Sequence, residues 1–459
     1  MKKTKQLFSL LAAVVLLISG FGCKGLSAEE QAAIKPVTLK YWTITNDIGI
    51  LEQMAEEYKK MRPYVTVDIR KVGYEEFDTL LLNALADDVS PDIISVNVKD
   101  IRKYLNRLAD MPASVKVADV QIKGKYAKET IVTPIEVKMP TPAAIKSNFI
   151  TTVYEDAIVN GQIIGLPLSV DTLALYYNKE LLDQANIPEP PQTWEDFMEA
   201  VKATTKFDAQ GNVVQSGVAL GTGNNIPRAF DLLSLFMLQS GVKMTEGNRV
   251  AFTAGLDKPQ ENNATLAALR FYTDFAQPTK EVYCWNESNE DALQAFARGK
   301  LTFYFGFSYD YQRIKARAPQ MDVEILPIPQ LNSSAPVNIA NYWVETVSRK
   351  SKNANEAWDF IKFITSKENI KKYTEAVRQP SPVRSQVEEQ RQDLVLAPFT
   401  EYLLQSKNWY RGRDSVAAEK AIKDMLHSYL QPFGGTDKKK LDRDAALVKY
   451  AAQLIQQTL

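Results

Sequence analysis

The sequence predicts an α/β protein with two lobes, each built on a mostly parallel sheet flanked by helices. The chain has 459 residues, of which 45% are hydrophobic and 24% are charged, and single cores stop growing at roughly 250 to 300 residues. Strand and helix patterns near the amino terminus alternate as βαβαβ, which favours parallel strands with right-handed crossovers. We therefore expect two cores and a ligand crevice at the carboxyl ends of strands.

The elements of that βαβαβ unit follow from the spacing of apolar residues. Strands are predicted at 39–43, 65–69 and 91–96, where apolar residues alternate or form a short run. Helices are predicted at 50–58 and 77–85, where apolar residues recur at intervals of three and four. The first helix must end before a proline, which cannot continue it.

The next stretch, residues 111–149, is rich in valine, lysine and proline and has no clear helical period. We interpret it as a hairpin or loop in the amino-terminal lobe, and the family resemblance described below implies that it is an insertion. Both a decorated surface and a partner-docking role stay open.

The segment Gly165–Trp194 contains a strand and a well-marked helix start. Leu173 to Tyr177 alternate as a buried strand, whereas Pro190-Pro191 forbids a helix until Thr193 can cap one, with Asp196 at the third helical position. Periodicity alone is equally typical of an α/β packing unit that binds nothing.

The carboxyl-terminal half is predicted to be mostly helical. A helix at 292–300 can end in a left-handed cap at Gly299, and a strand at 301–305 leads into Gly306. The glycine-containing run 221–225 lacks the residues of a phosphate loop and is interpreted as a turn.

The amino terminus has the features of an export signal. Three lysines precede an apolar run at 7–18, which is too short to span a bilayer. The sequence Gly20-Phe21-Gly22-Cys23 resembles a bacterial lipobox, with Gly20 where leucine is usual. We expect residues 1–22 to be a lipoprotein signal peptide, Cys23 to be lipidated and residues 23–36 to form a flexible tether. Conventional cleavage after Ala28 is the alternative.

Charge and cysteine content limit the possible partners. Fifty-five basic residues balance fifty-five acidic ones, which gives no reason to expect nucleic acid or an anionic surface as a partner. With Cys23 acylated, Cys284 is the other cysteine, so the fold cannot depend on disulfides.

No catalytic or metal-binding set is evident. The single histidine, His427, lies on an amphipathic helix pattern, and neither Cys-x-x-Cys nor His-x-x-x-His occurs. We expect no metal, no cofactor and no enzyme activity. Because the many acidic residues could pair across a sugar, a secreted polysaccharide-degrading enzyme stays an alternative.

Several motifs resemble the bacterial extracellular solute-binding proteins of the maltose- and oligosaccharide-binding type. That family has G-x-P-x-x-x-D/E-x-x-x-L-x-Y-N-K followed by a Pro-x-T-W helix start, and the matching residues here are Gly165, Pro167, Asp171, Leu175, Tyr177, Asn178, Lys179, Thr193 and Trp194. Further similarity lies in the segments 91–94, 292–309, 326–329 and 355–361, although Thr302-Phe303 replaces the usual Ala-Met. The resemblance covers nearly all of the mature chain.

The resemblance implies a type II periplasmic-binding-protein-like fold and a monomeric substrate-binding lipoprotein of an ABC importer. The predicted amino-terminal lobe comprises 37–169 and 307–342, and the carboxyl-terminal lobe comprises 170–306 and 343–459. Crossings are expected at Ser169–Thr172, Gly306–Ser308 and Asn341–Val344. Expected partners are a carbohydrate, the permease subunits and, through the anchor alone, the membrane.

The resemblance also implies a ligand site for a di- or oligosaccharide. Aromatic faces and paired amides or carboxylates suit sugar rings and their hydroxyls. Glycerol phosphate, a polyamine or another polar solute is the alternative ligand. The candidate ligand-binding residues are Trp42, Asn46, Asp47, Asn97, Asp171, Asn224, Asn225, Arg228, Phe307, Tyr309, Tyr342, Trp343, Trp409 and Tyr410.

Overall fold

The computed structural model describes residues 26–87, 89–123 and 129–459. The predicted signal peptide and Cys23 lie outside the described residues. The structure differs from the predicted flexible tether, because helix α1 (Ala28–Ala33) forms there. Ser27 and Glu30 make a reciprocal capping box at its start, and Leu26, Ala33 and Ile34 pack against the core of the amino-terminal lobe. This packing orders a segment that composition alone leaves free.

The amino-terminal lobe contains a mixed sheet in the order β2-β1-β3-β19-β4, with β9 also paired to β19. Strand β1 runs parallel to β2 and β3, whereas β19 runs antiparallel to β3, β4 and β9. The strand bounds are β1 (Val37–Thr43), β2 (Val65–Lys71), β3 (Ile93–Asn97), β4 (Leu108–Ala109), β9 (Gly165–Leu166) and β19 (Trp343–Ser348).

Helices cover this sheet and complete its core. Their buried side chains include Leu51, Met54 and Tyr58 of the second helix; the sequence pattern predicts Met54 and Tyr58, whereas the predicted Ile50 is half-buried and Leu51 takes the buried position. The bounds are α2 (Ile48–Met61), α3 (Tyr74–Ala86), α4 (Ile101–Tyr104), α5 (Pro142–Asn148), α6 (Thr151–Ala157), α13 (Ala354–Ile364), α14 (Lys367–Val377) and α15 (Arg384–Gln390).

A long hairpin occupies much of the stretch 111–149. Strands β5 (Ser114–Lys123) and β6 (Glu129–Lys138) pair in register over ten residues. Helix α5 follows them. The sequence pattern did not predict it, because the stretch has no clear helical period. The helix forms where Thr141 caps its start and Pro142 takes the first helical position. A smaller hairpin, β7 (Ile158–Val159) with β8 (Gln162–Ile163), comes next.

The carboxyl-terminal lobe contains a second mixed sheet, in the order β12-β13-β16-β11-β17. Its pairings are antiparallel except that between β13 and β16. The bounds are β11 (Ala174–Asn178), β12 (Lys206–Phe207), β13 (Val213–Val218), β16 (Leu301–Gly306) and β17 (Val323–Pro327), with a separate hairpin of β14 (Thr245–Glu246) and β15 (Arg249–Val250).

The helices of this lobe include the predicted one after the double proline, which Thr193 caps by accepting from the N–H of Asp196. Among the described residues, no helix has the length and apolar character needed to cross a membrane. The helix bounds are α7 (Lys179–Gln184), α8 (Trp194–Thr204), α9 (Ala229–Gln239), α10 (Ala264–Asp274), α11 (Ala292–Ala297), α12 (Ser308–Arg317), α16 (Ala397–Thr400), α17 (Ser415–Leu430) and α18 (Asp437–Gln456).

Two separate hydrophobic cores confirm the two-lobe α/β architecture, but the sheets are mixed rather than mostly parallel. The reason lies in how the chain crosses between the lobes. Strand β19 enters the first lobe at the edge where β3 ends, pairing Trp343 with Asn97, so it must run in the opposite direction. A purely parallel sheet would need each strand to enter from the same edge.

The interlobe connections form a small sheet of their own. Strand β10 (Asp171–Thr172) pairs with β18 (Asn338–Asn341), and β18 pairs with β20 (Ser406–Lys407). Backbone hydrogen bonds thus tie together three segments that pass between the cores. A bend at this sheet would move one lobe relative to the other.

The lobe boundaries differ from those predicted. The first core draws on residues up to Val170 and then on 340–387, whereas the second begins at Leu173 and includes 314–339. Residues 307–339 therefore belong to the carboxyl-terminal lobe, and residues 343–387 to the amino-terminal one. No crossing occurs at 306–308, because β16 and α12 both pack on the second core, and the third crossing lies between α15 and Trp409.

Candidate functional site: the cleft between the lobes

A cavity of about 700 Å³ lies between the two lobes, within the size range of small-molecule sites. Its walls come from the loops after β1 and β3, the first two crossings, and the starts of α9, α12 and α17. The predicted site residues that line it are Asn46, Asn97, Asp171, Arg228, Tyr309, Tyr342 and Trp343.

Asn46 is held behind the cavity surface by a buried polar network. Its side-chain N–H donates to Glu345 Oε1 at 2.8 Å and to the Tyr41 hydroxyl at 2.9 Å. Glu345 also accepts from Tyr41 at 2.6 Å and from Ser95 at 3.2 Å. Burial raises the pKa of Glu345 to about 7, and these hydrogen bonds only partly oppose that rise. The network fixes the cleft wall.

Tyr342 is fixed in a similar way. Its hydroxyl donates to Asp156 Oδ2 at 2.9 Å, and the same oxygen accepts from Asn408 at 2.8 Å. Burial raises the pKa of Asp156, while Arg411, 3.2 Å from its other oxygen, opposes the rise. Since the hydroxyl of Tyr342 is engaged and its side chain is buried in the first core, the residue supports the cavity wall.

Asp171 lies on the first crossing and uses its oxygens within the protein. Oδ2 accepts from the backbone N–H and the hydroxyl of Ser308, at 2.8 and 2.6 Å, and Oδ1 accepts from the N–H of Thr172 at 2.9 Å. Burial raises its pKa to about 7, against the lowering effect of these bonds. The arrangement favours a role for Asp171 in the hinge.

Arg228 and Tyr309 form a half-buried aromatic and cationic wall of the cavity on the side of the second lobe. The guanidinium donates to the Tyr309 hydroxyl and lies 4.9 Å from the centroid of Phe307 and 5.6 Å from that of Tyr309. The two rings stack at 5.7 Å. Cation–π contact holds the guanidinium against this pair of rings at the cavity wall.

Two buried donors at the cleft have no acceptor among the described residues. They are the indole N–H of Trp343 and the Nε–H of Arg228. An unpaired buried donor costs roughly 1 to 3 kcal/mol. Nearby, Asn97 donates to Asn341 Oδ1 at 3.1 Å with one of its two amide hydrogens. These groups suit a ligand rich in oxygen acceptors.

Trp42 and Asp47, predicted near the cleft opening, do not line it. Trp42 stacks under the Arg70 guanidinium at 5.1 Å, because Arg70 is its neighbour on the adjacent strand. Asp47 caps helix α2 by accepting from the N–H of Ile50. Both side chains have structural roles that explain their positions.

Asn224 and Asn225, which were also candidate ligand-binding residues, do not line the cavity either. The Asn225 amide donates to the carbonyls of Asn286 and Asn289, and its oxygen accepts from Trp285 Nε1 at 3.1 Å. It therefore fixes a loop. Asn224 is exposed.

Phe307, Trp409 and Tyr410 are buried in the second core rather than at the cavity. Trp409 stacks on Phe230 at 5.4 Å and donates to Ser234 Oγ at 2.9 Å. Tyr410 donates to Thr458 Oγ1 at 2.9 Å. Packing uses these rings, as it does most aromatic residues in a protein of this size.

The sequence-based prediction missed a cluster of charged and polar side chains in the cavity wall. Its members are Lys99, Asp100, Asp231, Ser415 and Glu419. The first two could have been found, since they follow Asn97 beyond the end of β3, where ligands are expected. Asp231 lies about one helical turn after Arg228. Ser415 and Glu419 carry no sequence signal, because only the third crossing brings α17 to the cleft.

Comparison with known proteins defines the class. The family model for bacterial extracellular solute-binding proteins matches residues 53–398, so this chain belongs to that family and works outside the cytoplasm. The family resemblance drawn from the sequence is confirmed.

Individual relatives are distant but cover most of the chain. The multiple sugar-binding protein of Streptococcus mutans is 22% identical over 88% of this chain and 93% of its own length. The melibiose/raffinose/stachyose-binding protein of Bacillus subtilis is 22% identical over 82% of this chain and 81% of its own. A solved cyclo/maltodextrin-binding protein with maltotetraose has the same fold, with a TM-score of 0.68 at 14% identity, over 92% of this chain and 97% of that one.

Proposed function

We propose that this protein is the substrate-binding component of an ABC importer and binds a neutral di- or oligosaccharide between its lobes. The observation that carries the proposal is the interlobe cavity, whose walls combine aromatic rings with amide and guanidinium donors. Sugar recognition needs both kinds of surface. The relatives named for sugar binding support the same ligand class.

We assign the direct ligand contacts to Trp343, Tyr309, Arg228 and Asn97. Trp343 and Tyr309 offer ring faces to the C–H faces of a pyranose, and the unpaired N–H groups of Trp343 and Arg228 can donate to its hydroxyls. Asn46, Asp171 and Tyr342 shape and support the site, since their polar groups are engaged within the protein.

Ligand binding closes the lobes in this proposal. The three-stranded connection of β10, β18 and β20 serves as the hinge, and a ligand that contacts both walls stabilises the closed state. The closed protein then presents its outer surfaces to the permease. Cys23 carries the lipid anchor, which keeps a monomeric protein at the membrane.

The protein binds its sugar without cleaving it. Asp171, one of the candidate ligand-binding residues, has both oxygens occupied by hydrogen bonds from the chain, whereas a glycosidase needs two carboxyl groups free to act on the sugar. Oligosaccharide recovered after long incubation should be intact. Release of shorter sugars by the purified protein would overturn this part of the proposal.

A thermal-shift screen tests the ligand class. The mature protein is mixed with mono- and oligosaccharides, polyols, glycerol phosphates and polyamines. A ligand at a hundred times its dissociation constant stabilises a fold by about 2.7 kcal/mol, which moves the melting temperature of a large protein by several degrees. We expect neutral oligosaccharides to raise the melting temperature. Stabilisation by anionic or cationic solutes alone would contradict the assignment.

A further inference from the structure

Lys99 joins the two lobes directly across the cleft. It follows strand β3 of the first lobe, and its Nζ lies 2.7 Å from Asp231 Oδ1 and 3.3 Å from Glu419 Oε1. Asp231 is on α9 and Glu419 on α17, both in the second lobe. One ammonium group therefore bridges two helices of the opposite lobe.

Lys99 and Asp231 are well shielded from water, which strengthens their contact, whereas the Glu419 side chain is 35% exposed. The exposed fractions of the Lys99 and Asp231 side chains are 12% and 7%, and Nζ lies 5.0 Å from the centroid of Phe230. Burial lowers the pKa of Lys99, but the two carboxylates outweigh that effect and raise it above its ordinary value. The lysine therefore stays charged.

A second interlobe bond lies beside the first. The hydroxyl of Ser415, in the first turn of α17, donates to Asp100 Oδ1 at 2.6 Å. Because Asp100 directly follows Lys99, adjacent residues of one lobe both hold the same helix of the other. All five groups line the cavity, so this interlobe contact forms part of its wall.

The position of the Lys99 ammonium has a chemical consequence. Two carboxylates from one lobe, facing a cleft and close to an aromatic ring, are what a ligand ammonium group would need. Here the protein supplies that ammonium from its own opposite lobe. A cationic ligand would have to displace a tethered group that is already desolvated and paired.

We propose that Lys99 is a specificity-determining latch, which closes the lobes through Asp231 and Glu419 and excludes cationic ligands from the cleft. Part of the free energy that favours the closed lobes then comes from the protein itself and requires no ligand. Since a ligand binds most tightly to the closed state, the latch also raises affinity for a neutral ligand by increasing the closed population.

Small-angle scattering of the ligand-free protein tests the closing role. Lys99→Met should increase the radius of gyration, and Glu419→Gln, which leaves the Asp231 contact, should increase it less. The matched control is Lys420→Met. Lys420 lies next to Glu419 on α17, and it pairs with Asp424 of the same helix and not across the cleft. No difference between Lys99→Met and the control would overturn the latch. No sugar is present, so the result is independent of the carbohydrate assignment.

Amine binding tests the specificity role. Titrated with spermidine, the wild-type protein should show no thermal shift, whereas Lys99→Met should be stabilised because Asp231 and Glu419 have lost their cation. Adding Glu419→Gln to that variant should weaken the shift. If Lys99→Met folds poorly, Lys99→Met/Asp231→Asn removes the more buried of the two unpaired charges and should open the lobes with a weaker spermidine response than Lys99→Met. A spermidine response in the wild type, or none in Lys99→Met, would overturn the exclusion.

Discussion

Asp171 and Ser308 join the first interlobe crossing to the start of helix α12 through two hydrogen bonds, at 2.8 Å from the backbone N–H and 2.6 Å from the hydroxyl. The carboxyl group thereby sits at the amino-terminal end of a ten-residue helix, where the helix dipole favours an acceptor. The contact fixes the second lobe to the hinge strand.

Replacing Ser308 with Ala should lower the free energy of unfolding by about 1 to 3 kcal/mol, because a buried carboxyl group loses a donor. Chemical denaturation measures this. Ser147→Ala, which removes an exposed hydroxyl bonded within its own helix, is the control and should have little effect. Equal stability of the two variants would contradict the role given to the Ser308 hydroxyl.

Stability should fall as pH rises from about 5 to 8. Burial raises the pKa values of Glu345 and Asp171 to about 7 in the folded protein, above the 4.5 and 3.8 of the free groups. The folded state therefore holds protons that the unfolded state has lost, and this stabilisation disappears as pH passes through 7. Each fully titrating group contributes up to about 1.4 kcal/mol per pH unit.

Glu345→Gln isolates one of these groups. Gln cannot titrate, so unfolding free energies measured between pH 5 and 8 should vary less in this variant than in the wild type. Its overall stability should be lower at pH 5, since Tyr41 and Asn46 both donate to the carboxyl group. An unchanged pH dependence would show that Glu345 does not titrate in this range.

Trp194 should matter for folding rather than for binding. Its ring packs against Phe197, Phe236 and Phe271 at centroid distances of 5.5, 5.1 and 5.5 Å. Trp194→Ala should cost about 3 to 5 kcal/mol in stability through the cavity it leaves. The folded fraction should keep the wild-type affinity for sugar, and a selective loss of binding would contradict this assignment.

Cys23 should attach the protein to the membrane. Cys23→Ser removes the thiol that lipidation requires, so the variant should be released or remain as the unprocessed precursor. Membrane fractionation and mass spectrometry of the amino terminus report the outcome. If processing and membrane association are unchanged, the lipoprotein assignment fails and cleavage after Ala28 becomes the better explanation.

Local patterns predicted the elements well, because they depend on neighbouring residues. The alternation at 65–69 predicted strand β2, and the capping residue Thr193 predicted the start of helix α8. Both elements are present in the structure. The lobe boundaries were wrong, since they depend on where the chain crosses between cores. A crossing after α15 joins segments distant in sequence, and nothing local to 391–408 indicates that it does.

The candidate site was partly predictable for the same reason. Asn97 lies at the end of a strand that the sequence pattern predicts, whereas Arg228 was a candidate through the family resemblance; both line the cavity. Trp409 was placed there by resemblance, but the ring packs on Phe230 instead. An aromatic side chain suits a core and a sugar platform equally well, so residue type alone cannot separate the two.

The most direct test of the central claim is calorimetric titration of neutral oligosaccharides into the mature protein and two tryptophan variants. Trp343→Ala should weaken binding by about 1 to 3 kcal/mol, because the cleft loses one of its two proposed aromatic faces and an unpaired N–H donor. Trp42→Ala, which removes a ring outside the cavity, should bind normally. Normal sugar binding by Trp343→Ala, or no binding of any neutral oligosaccharide by the wild type, would contradict carbohydrate recognition in this cleft.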